Sequence, residues 1–382
     1  MTIAKSAQRL WIASIVALVA GPAAAAPAES AYQQVIARNV VSMVPADGRG
    51  GVAVALRIDG RTLFFNYGWA DRANERPISA DSLFNLASLR KVFEVTLLAL
   101  AVRRGELDLD DPVAKHVVEL RQGNDIRRVT LGQLASHTSG LLLPQDYLPW
   151  PGERYTLAEF IRTINAWTSA RGEEPGKQHR YTHAGFVLLQ LALERRFGAP
   201  IGTLIEREVL HPLGMTSTML PPNVDGRSVF APALMRRVVQ GYSEHGTPIG
   251  VPGDQQSFYD FPDAGQMFSS TRDLAVLLAA NLGELPIDHS LQAAMQMTRQ
   301  GVFRISPRIT QAMAWEVNDF GGPLIVDKPG GLNNSSTYLG LVPNERLAIV
   351  ILSNRGFQHP YEVARHALLP ALARLQLPAD AR

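Results

Sequence analysis

The feature that most constrains the fold is the placement of the strand-like segments, which lie towards the two ends of the chain with helical segments between them. The segment GVAVALRIDGRTLFFNYGWAD, beginning at Gly51, consists of two β-rich runs joined at Asp59-Gly60. Both joining residues tolerate positive φ, so the segment predicts a β-hairpin. Late in the chain, SSTYLGLVP and RLAIVILSN flank Asn344-Glu345 and predict a second strand pair.

Helical periodicity dominates the middle of the chain. Periodic segments lie near residues 157–168, 184–197, 201–210 and 271–283, with Pro- and Gly-containing loops between them. A further helix is predicted from about Ser88 to Arg104, and a last amphipathic helix from about Tyr361 to Leu375. This order predicts an α+β fold, with one antiparallel sheet built from both termini, helices flanking it, and a mostly helical lobe alongside.

The first 26 residues have the layout of a secretory signal peptide. Lys5 and Arg9 precede an apolar run at residues 10–20, and small residues follow at 23–26. The run is too short for a membrane helix, which needs about 20 apolar residues. We therefore expect cleavage after residues 1–26, export to the periplasm, and no membrane attachment of the mature protein.

Residues 27–382 are expected to form the folded domain. This length exceeds a usual single core, which favours one large domain with two lobes, or two domains. We expect a sheet lobe from about 27–105 and 300–382 and a helical lobe from about 106–299. A cleft between such lobes is the natural place for a site.

Charge and cysteine content narrow the function. The chain has 37 Lys and Arg against 35 Asp and Glu, and two of the cations lie in the signal segment, so the remainder is balanced. A balanced chain argues against nucleic acid as a partner. The absence of cysteine excludes disulfides, thiol catalysis and cysteine-bound zinc. We expect a monomer that acts on a small molecule.

Ser88 and Lys91 are the first candidate catalytic pair. They lie one turn apart in FNLASLRKVF, at the start of an otherwise apolar helix, where unpaired polar groups cost stability. The start of a helix favours developing negative charge. A buried lysine is more readily neutral and can take the serine proton. The alternative interpretation is a serine helix cap with a lysine that extends to solvent.

Two further motifs follow in the order known from the penicillin-recognising serine enzymes, where S-x-x-K precedes a Tyr-x-Asn loop and a K-T-G strand. HRYTHAGFVLLQ supplies Tyr181, and VDKPGG supplies Lys328 before a terminal strand pair. Together with YGWADRANERPISADSLFNLASLRKVF, RRGELDLDDPVAKHV, VTLGQLASHTSGL and LVPNERLAIVILSN, these motifs resemble class C serine β-lactamases and the related DD-peptidases and esterases. The resemblance covers nearly all of the mature chain and implies the β-lactamase/transpeptidase-like fold.

The resemblance implies a role for each motif residue. Ser88 is acylated by a β-lactam carbonyl, and Lys91 and Tyr181 move protons in acylation and deacylation. Lys328 holds the substrate carboxylate and stabilises the Tyr181 phenolate. The N–H groups of Ser88 and Gly331 form the oxyanion hole.

The substrate-binding residues implied by the resemblance are Gln145, His183, Gly330, Gly331 and His359. Gln145 falls where class C enzymes contact the substrate side-chain amide, and His359 where many have an asparagine near the carboxylate. His183 replaces the family asparagine, and a neutral imidazole also has one donor and one acceptor. Pro329 replaces a threonine whose hydroxyl helps bind the carboxylate. These two departures predict an unusual β-lactam spectrum that extends to carbapenems.

The histidines leave a metal site open as an alternative. His179 and His183 are four residues apart, and His359 aligns near the same cleft. Imidazole is a common zinc ligand, but most histidines are not ligands, so no metal is assigned and no cofactor is expected to be required.

Two other functions remain open at this stage. The same nucleophile could serve a DD-peptidase or an esterase, since fold does not fix substrate. A non-catalytic penicillin-binding or scaffold protein is the third alternative, because the second and third motifs are altered.

Overall fold

A nine-stranded antiparallel sheet organises the computed structural model, which describes residues 26–143, 146, 154–224, 227–254, 259–260 and 265–376. Its strands in chain order are β1 (Gly51–Ile58), β2 (Arg61–Asp71), β3 (Arg76–Pro77), β4 (Phe303–Ser306), β5 (Ile309–Gln311), β6 (Glu316–Asn318), β7 (Ile325–Leu332), β8 (Ser335–Val342) and β9 (Leu347–Ser353). Across the sheet the order is β4-β5-β6-β7-β8-β9-β1-β2-β3. Because β1 pairs with β9, the two ends of the chain meet in one sheet.

The hairpin predicted at Asp59-Gly60 is present. Both residues adopt positive φ, 51° and 70°, and β1 pairs with β2 from Gly51↔Gly68 to Ile58↔Arg61. This two-residue turn matches the right-handed twist of the strands, as expected for this dipeptide. The local sequence therefore fixed the register of the first two strands.

Helices occupy most of the chain between β3 and β4. The longer helices are α1 (Ala26–Val40), which precedes β1, then α2 (Arg90–Arg103), α3 (Leu157–Ala166), α4 (His183–Phe197), α5 (Thr271–Asn281) and α6 (His289–Thr298) in this middle part and, after β9, α7 (Leu369–Gln376). Shorter helices span Val113–His116, Leu131–Ala135, Ile201–Ile205, His211–Leu213, Pro232–Met235 and Pro360–Val363, and π-helical turns span Glu206–Leu210 and Ala364–Leu368. The sequence pattern missed α6, and a 3₁₀ turn, Ala87–Leu89, precedes the helix expected from Ser88.

The sheet is covered on both faces, as an α+β fold requires. Alternate residues of β1 point to opposite sides, so Val52 and Val54 pack with α1 and the C-terminal helix, whereas Ala53 and Ala55 belong to the larger core on the other side. The small alanines lie on the side where α5 contacts β1. The predicted fold class is confirmed.

Three short strand pairs lie beside the helices. Phe84–Asn85 pairs with Phe268–Ser269, Tyr155–Thr156 with Tyr259–Asp260, and Asn223–Val224 with Arg227–Ser228.

The expected signal segment lies outside the described residues, apart from the first residue of α1. None of the helices that the structure describes combines the length and apolar character needed to cross a bilayer.

Candidate active site

Ser88 is presented by a strained turn between a short strand and α2. Ala87, the residue before it, has φ of 48°, and its N–H donates to Asn85 Oδ1 at 2.9 Å. A non-glycine residue in the left-handed region costs on the order of 1–3 kcal/mol, which the surrounding contacts must offset. The turn places Ser88 at the N-terminal end of α2, with its side chain largely buried.

Two proton-carrying groups reach the Ser88 hydroxyl. Tyr181 Oη donates to Ser88 Oγ at 2.7 Å, and Lys91 Nζ donates to the same oxygen at 3.4 Å. Burial lowers the pKa of Lys91 to about 8, partly opposed by the charge of Glu94. The neutral amine, which can accept a proton from Ser88, is therefore easier to reach near neutral pH than in an exposed lysine.

Lys328 brings a second buried cation to the same ring. Its side chain is 2% exposed, and Nζ lies 4.7 Å from the centroid of the Tyr181 ring, while Lys91 Nζ lies 5.4 Å from it. Within the described part of the chain, neither lysine forms a salt bridge with a carboxylate. Two uncompensated cations beside a hydroxyl attract an anionic group of a ligand.

Strand β7 packs directly against the Ser88 turn through Gly330. A Cβ atom at Gly330 would clash with Thr337 Oγ1 and come within 3.1 Å of both the Leu86 carbonyl oxygen and the Ser88 nitrogen. Glycine is therefore required at this position. The absence of a side chain lets the edge of β7 approach the nucleophile.

Pro329 shows which way the backbone of β7 faces. β6 pairs only with Ile325 to Asp327, so the β7 edge beyond them is free of that neighbour. Proline has no N–H and is tolerated in a strand where that group would face a free edge. The strand period of two then directs the Gly331 N–H to the same edge, where it can act with the Ser88 N–H on an oxyanion.

Asp146 secures the loop that carries Tyr181, and sequence reasoning missed it. Its carboxylate accepts hydrogen bonds from the Leu143 N–H at 2.8 Å, the Thr182 hydroxyl at 3.0 Å and the His183 N–H at 2.5 Å. Thr182 itself caps α4. A single aspartate in an irregular loop has no periodic signal, so its role depends on a contact 36 residues along the chain.

His137 supports the Tyr181 ring from the other side. The two ring centroids are 4.2 Å apart at 31°, and His137 Nδ1 accepts the Thr182 N–H at 3.2 Å. Burial holds the pKa of His137 well below its usual range, so the ring is neutral. Its Nε2 is buried without a partner among the described residues. His137 therefore limits where the phenol can move.

His183 lines the cleft and is also neutral. Burial, followed by the charges of Lys91 and Lys328, lowers the pKa of His183 to about 3. Its ring centroid is 5.5 Å from that of Tyr181. Because the imidazole stays uncharged near neutral pH, it keeps one donor and one acceptor, as the family asparagine does.

A charged network forms the wall of the cleft beyond Lys91. The cleft encloses about 630 Å³, part of it open to solvent, and its lining includes Ser88, Lys91, Arg90, Glu94 and Gln190. Arg90 Nε is 2.5 Å from Glu94 Oε1, and Arg90 Nη2 donates to Gln190 Oε1 at 2.8 Å. In the sequence, Arg90 and Glu94 form an i, i+4 charge pair inside an apolar helix. This pattern was not used in the sequence analysis.

The remaining predicted residues are placed as follows. Gln145 lies outside the described residues. His359 precedes the Pro360–Val363 helix with φ of 46°, and its ring contacts are with Phe357 and Tyr361. His179 packs its ring edge-on against His137 at 6.1 Å. In the chain as described, no group of three or more histidine, aspartate or glutamate side chains is placed to hold a metal ion.

Comparison with known proteins agrees with the motifs. A family model described as "Beta-lactamase" matches residues 32–373. A beta-lactamase from Pseudomonas fluorescens is 26% identical over 373 residues, covering 89% of this chain and 98% of that protein. A class C beta lactamase structure from Rhodobacter sphaeroides is 27% identical, with a TM-score of 0.71 and coverage of 90% and 98%. A D-alanine carboxypeptidase structure from Burkholderia cenocepacia is 25% identical, with a TM-score of 0.74 and coverage of 89% and 99%.

Proposed function

This chain belongs to the beta-lactamase family, and we propose that it is a serine hydrolase that opens β-lactam rings through an acyl-enzyme on Ser88. The observation that carries the proposal is the meeting of Lys91 Nζ and Tyr181 Oη at Ser88 Oγ, beside the buried cation of Lys328. A nucleophile with a base in hydrogen-bond reach and a third group to orient it is the arrangement that acyl transfer requires.

Acylation forms the bond from Ser88 Oγ to the β-lactam carbonyl carbon, and the hydroxyl proton passes to Lys91 or Tyr181. The tetrahedral oxyanion is held by the N–H groups of Ser88 and Gly331, each worth about 2.7–4 kcal/mol in the transition state. Its collapse breaks the ring C–N bond, and the departing nitrogen takes a proton from Tyr181. The product of this half-reaction is an ester on Ser88.

Deacylation reverses these roles with water as the nucleophile. Water attacks the ester carbon and gives a proton to Tyr181, and the bond to Ser88 Oγ breaks as that oxygen takes back a proton from Lys91 or Tyr181. Proton transfers of this kind contribute typically about 10²–10⁴-fold in rate. The close approach of Tyr181 to Ser88 Oγ supports the same group acting in both halves.

Substrate binding uses the cation and the altered second motif. Lys328 takes the substrate carboxylate, and neutral His183 contacts the acyl side chain. Pro329 offers no hydroxyl to the carboxylate. We therefore propose an unusual spectrum that extends to carbapenems, with Gln145 and His359 as further substrate contacts.

Export and assembly complete the proposal. The layout of residues 1–26 supports a signal peptide and a periplasmic mature domain at 27–382. The sheet lobe comprises about 27–105 and 300–382, and the helical lobe about 106–299. The enzyme acts as a monomer and requires no cofactor, since the chemistry is carried by side chains and backbone N–H groups.

A D-alanyl peptidase is the second candidate. The Burkholderia cenocepacia neighbour is called a D-alanine carboxypeptidase, and its identity to this chain is close to that of the beta-lactamase relatives. The two functions share acylation and differ in how fast the ester is hydrolysed. A DD-peptidase would release D-alanine from a D-Ala-D-Ala peptide and keep a stable penicilloyl adduct.

The test is hydrolysis of a penicillin, a chromogenic cephalosporin and a carbapenem by wild type, Ser88→Ala and Ser42→Ala, with and without a chelator. Ser42 is exposed and far along the chain from the motifs, so its variant controls for serine loss. We expect wild type and Ser42→Ala to turn over and Ser88→Ala to lose about 10³-fold or more. Equal, negligible rates in all three would support the scaffold. A lasting penicilloyl adduct, together with release of D-alanine from a D-Ala-D-Ala peptide, would support the peptidase. A loss of rate in the presence of the chelator would support a metal.

A further inference from the structure

Glu94 lies three residues after Lys91 on α2, and both side chains line the same cleft. Residues at this spacing are neighbours on a helix surface, with Cβ atoms about 5–6 Å apart. Glu94 nevertheless forms no salt bridge with Lys91. Its carboxylate is instead paired through Oε1 with Arg90, at 2.5 Å.

The second oxygen of this carboxylate is unused. Glu94 Oε2 is buried and has no hydrogen-bond partner among the described residues, although the residue is only 2% exposed. A buried carboxylate oxygen without a partner is costly and is usually explained by a ligand, a water or a functional role. Glu94 is one of the residues that line the cleft with Ser88 and Lys91.

Arg90 prevents the carboxylate from turning away. Its guanidinium also donates to the Gly265 carbonyl oxygen and, at 2.8 Å, to Gln190 Oε1. Gln190 is in turn bonded to Glu194 at 3.0 Å. Arg90 is therefore fixed by three elements, and Glu94 is held with one oxygen neutralised and one oxygen free.

The charge near Lys91 comes from several elements. The titratable and charged groups around it are Arg90 and Glu94 on α2, His137 after the Leu131–Ala135 helix, Asp146 in the loop that follows, Tyr181 and His183 of the second motif, and Lys328 on β7, which shares the Tyr181 ring with Lys91. Asp146 already accepts three hydrogen bonds, which disperse its charge. Glu94 keeps an uncommitted oxygen.

We propose that Glu94 is a positioning residue of the reaction, whose free carboxylate oxygen, held by Arg90, determines at which pH Lys91 can take the proton of Ser88. The inference rests on the proposed function and names a residue that the S-x-x-K motif does not include. Glu94 is the strongest influence that opposes the effect of burial on the pKa of Lys91, and Arg90 acts in the opposite direction. Removal of the Glu94 charge should therefore favour neutral Lys91 at lower pH.

The experiment compares the pH dependence of kcat/KM from pH 5 to 10 for wild type, Glu94→Gln and Glu208→Gln on one β-lactam. Glutamine keeps an acceptor for Arg90, and Glu208 is an ion-paired glutamate away from the cleft. We expect the acidic limb of Glu94→Gln to move about one unit lower, which makes it up to about tenfold faster than wild type at the lowest pH values. The limb of Glu208→Gln should not move. A folded Glu94→Gln with an unshifted limb overturns the proposal.

Arg90→Gln provides a variant of opposite sign. Because this variant loses a positive charge near Lys91, the acidic limb of its kcat/KM profile should move to higher pH. A shift to lower pH, as expected for Glu94→Gln, overturns the proposal. The same profiles are then measured for labelling of Ser88 by a fluorophosphonate probe, read by intact mass. If no β-lactam is hydrolysed, the proposed function fails, but a shifted labelling limb still supports the role of Glu94. An unshifted labelling limb, or a wild type that does not label, overturns it.

Discussion

Asp327 and Lys328 are adjacent on β7 and both are buried, but their side chains lie on opposite faces of the strand and differ in whether a counter-ion is present. Asp327 faces the C-terminal helices, where Arg365 binds both of its oxygens, at 2.6 and 2.7 Å. Tyr338 Oη and Asn318 Nδ2 donate to the same carboxylate at 2.9 and 3.0 Å. Every oxygen of this group has a partner.

Lys328 lies beside Tyr181 and has no such compensation among the described residues. In the described chain it contacts the Tyr181 ring and no carboxylate. Lys91 behaves similarly, with Ser88 as its hydrogen-bond partner. A buried charge whose partners are all present therefore has a structural role. Buried cations without counter-ions instead indicate where an anionic group of a ligand can bind.

The largest expected effect comes from removing the Asp327 carboxylate, whose oxygens are all hydrogen-bonded. Among the described residues, Asp327→Ala leaves buried Arg365 with Glu316 as its single counter-ion, at 2.7 Å. Unfolding free energy, measured by chemical denaturation, should fall by about 3–5 kcal/mol. The double variant Asp327→Leu with Arg365→Met should lose less, because both charges are removed together. A loss below about 1 kcal/mol in the single variant would contradict this account.

The matching change on the cleft side should affect catalysis and spare the fold. Lys328→Met removes a buried cation that has no carboxylate partner, so the unfolding free energy should not fall. kcat/KM for a carboxylate-bearing β-lactam should fall about 10²–10³-fold, as expected for one lost electrostatic contact. Steady-state kinetics and denaturation of the same preparation test both parts. A strongly destabilised Lys328→Met would show that the two faces do not differ.

Asp146→Asn tests a carboxylate that lies in the cleft region yet is fully bonded. Asparagine has one oxygen to accept the three donors, so stability should fall by about 1–2 kcal/mol. kcat should fall roughly tenfold because the Tyr181 loop is held less firmly. Asp288→Asn is the control, since Asp288 caps α6 and asparagine caps a helix about as well, so both stability and kcat should stay near wild type. Unchanged kcat in Asp146→Asn would contradict a link to Tyr181.

The last effect is in the pH dependence of stability. The pKa of His183 is lowered to about 3, so the unfolded chain binds a proton that the folded protein does not bind between about pH 3 and 6.5. Stability from this group is therefore complete above pH 6.5 and is lost as pH falls through that window. His183→Asn should reduce the slope of unfolding free energy against pH by up to about 1.4 kcal/mol per unit. An identical slope in the variant would contradict neutral burial.

Local sequence was sufficient for some elements of the fold. Asp59-Gly60 predicts its own turn because both residues accept positive φ, and the turn then sets the pairing of β1 with β2. The missed helix α6 shows the limit. Its capping residue Asp288 was a readable signal that the sequence analysis did not use.

The candidate site was predictable where its chemistry was local. Ser88 and Lys91 are three residues apart on one helix, so their proximity follows from helical geometry. The hydrogen bond between Asp146 and Thr182 joins residues 36 positions apart, and that between Arg90 and Gly265 joins residues 175 positions apart. No local pattern specifies such pairs. His359 aligned with a family position, but the structure shows only its contacts with neighbouring rings.

The sequence by itself determined the strand pairs towards the two ends of the chain, the spacing of Ser88 and Lys91 on one helix, and the family, because turn preferences, burial periodicity and motif spacing are written in short stretches of chain. Only the tertiary structure decided that Tyr181 reaches Ser88 beside Lys328. It also decided that Asp327 is neutralised by Arg365, whereas Lys328 and Glu94 Oε2 are left without a salt bridge or hydrogen bond among the described residues. These properties depend on which distant groups share a buried space, and that is set by packing of the whole molecule.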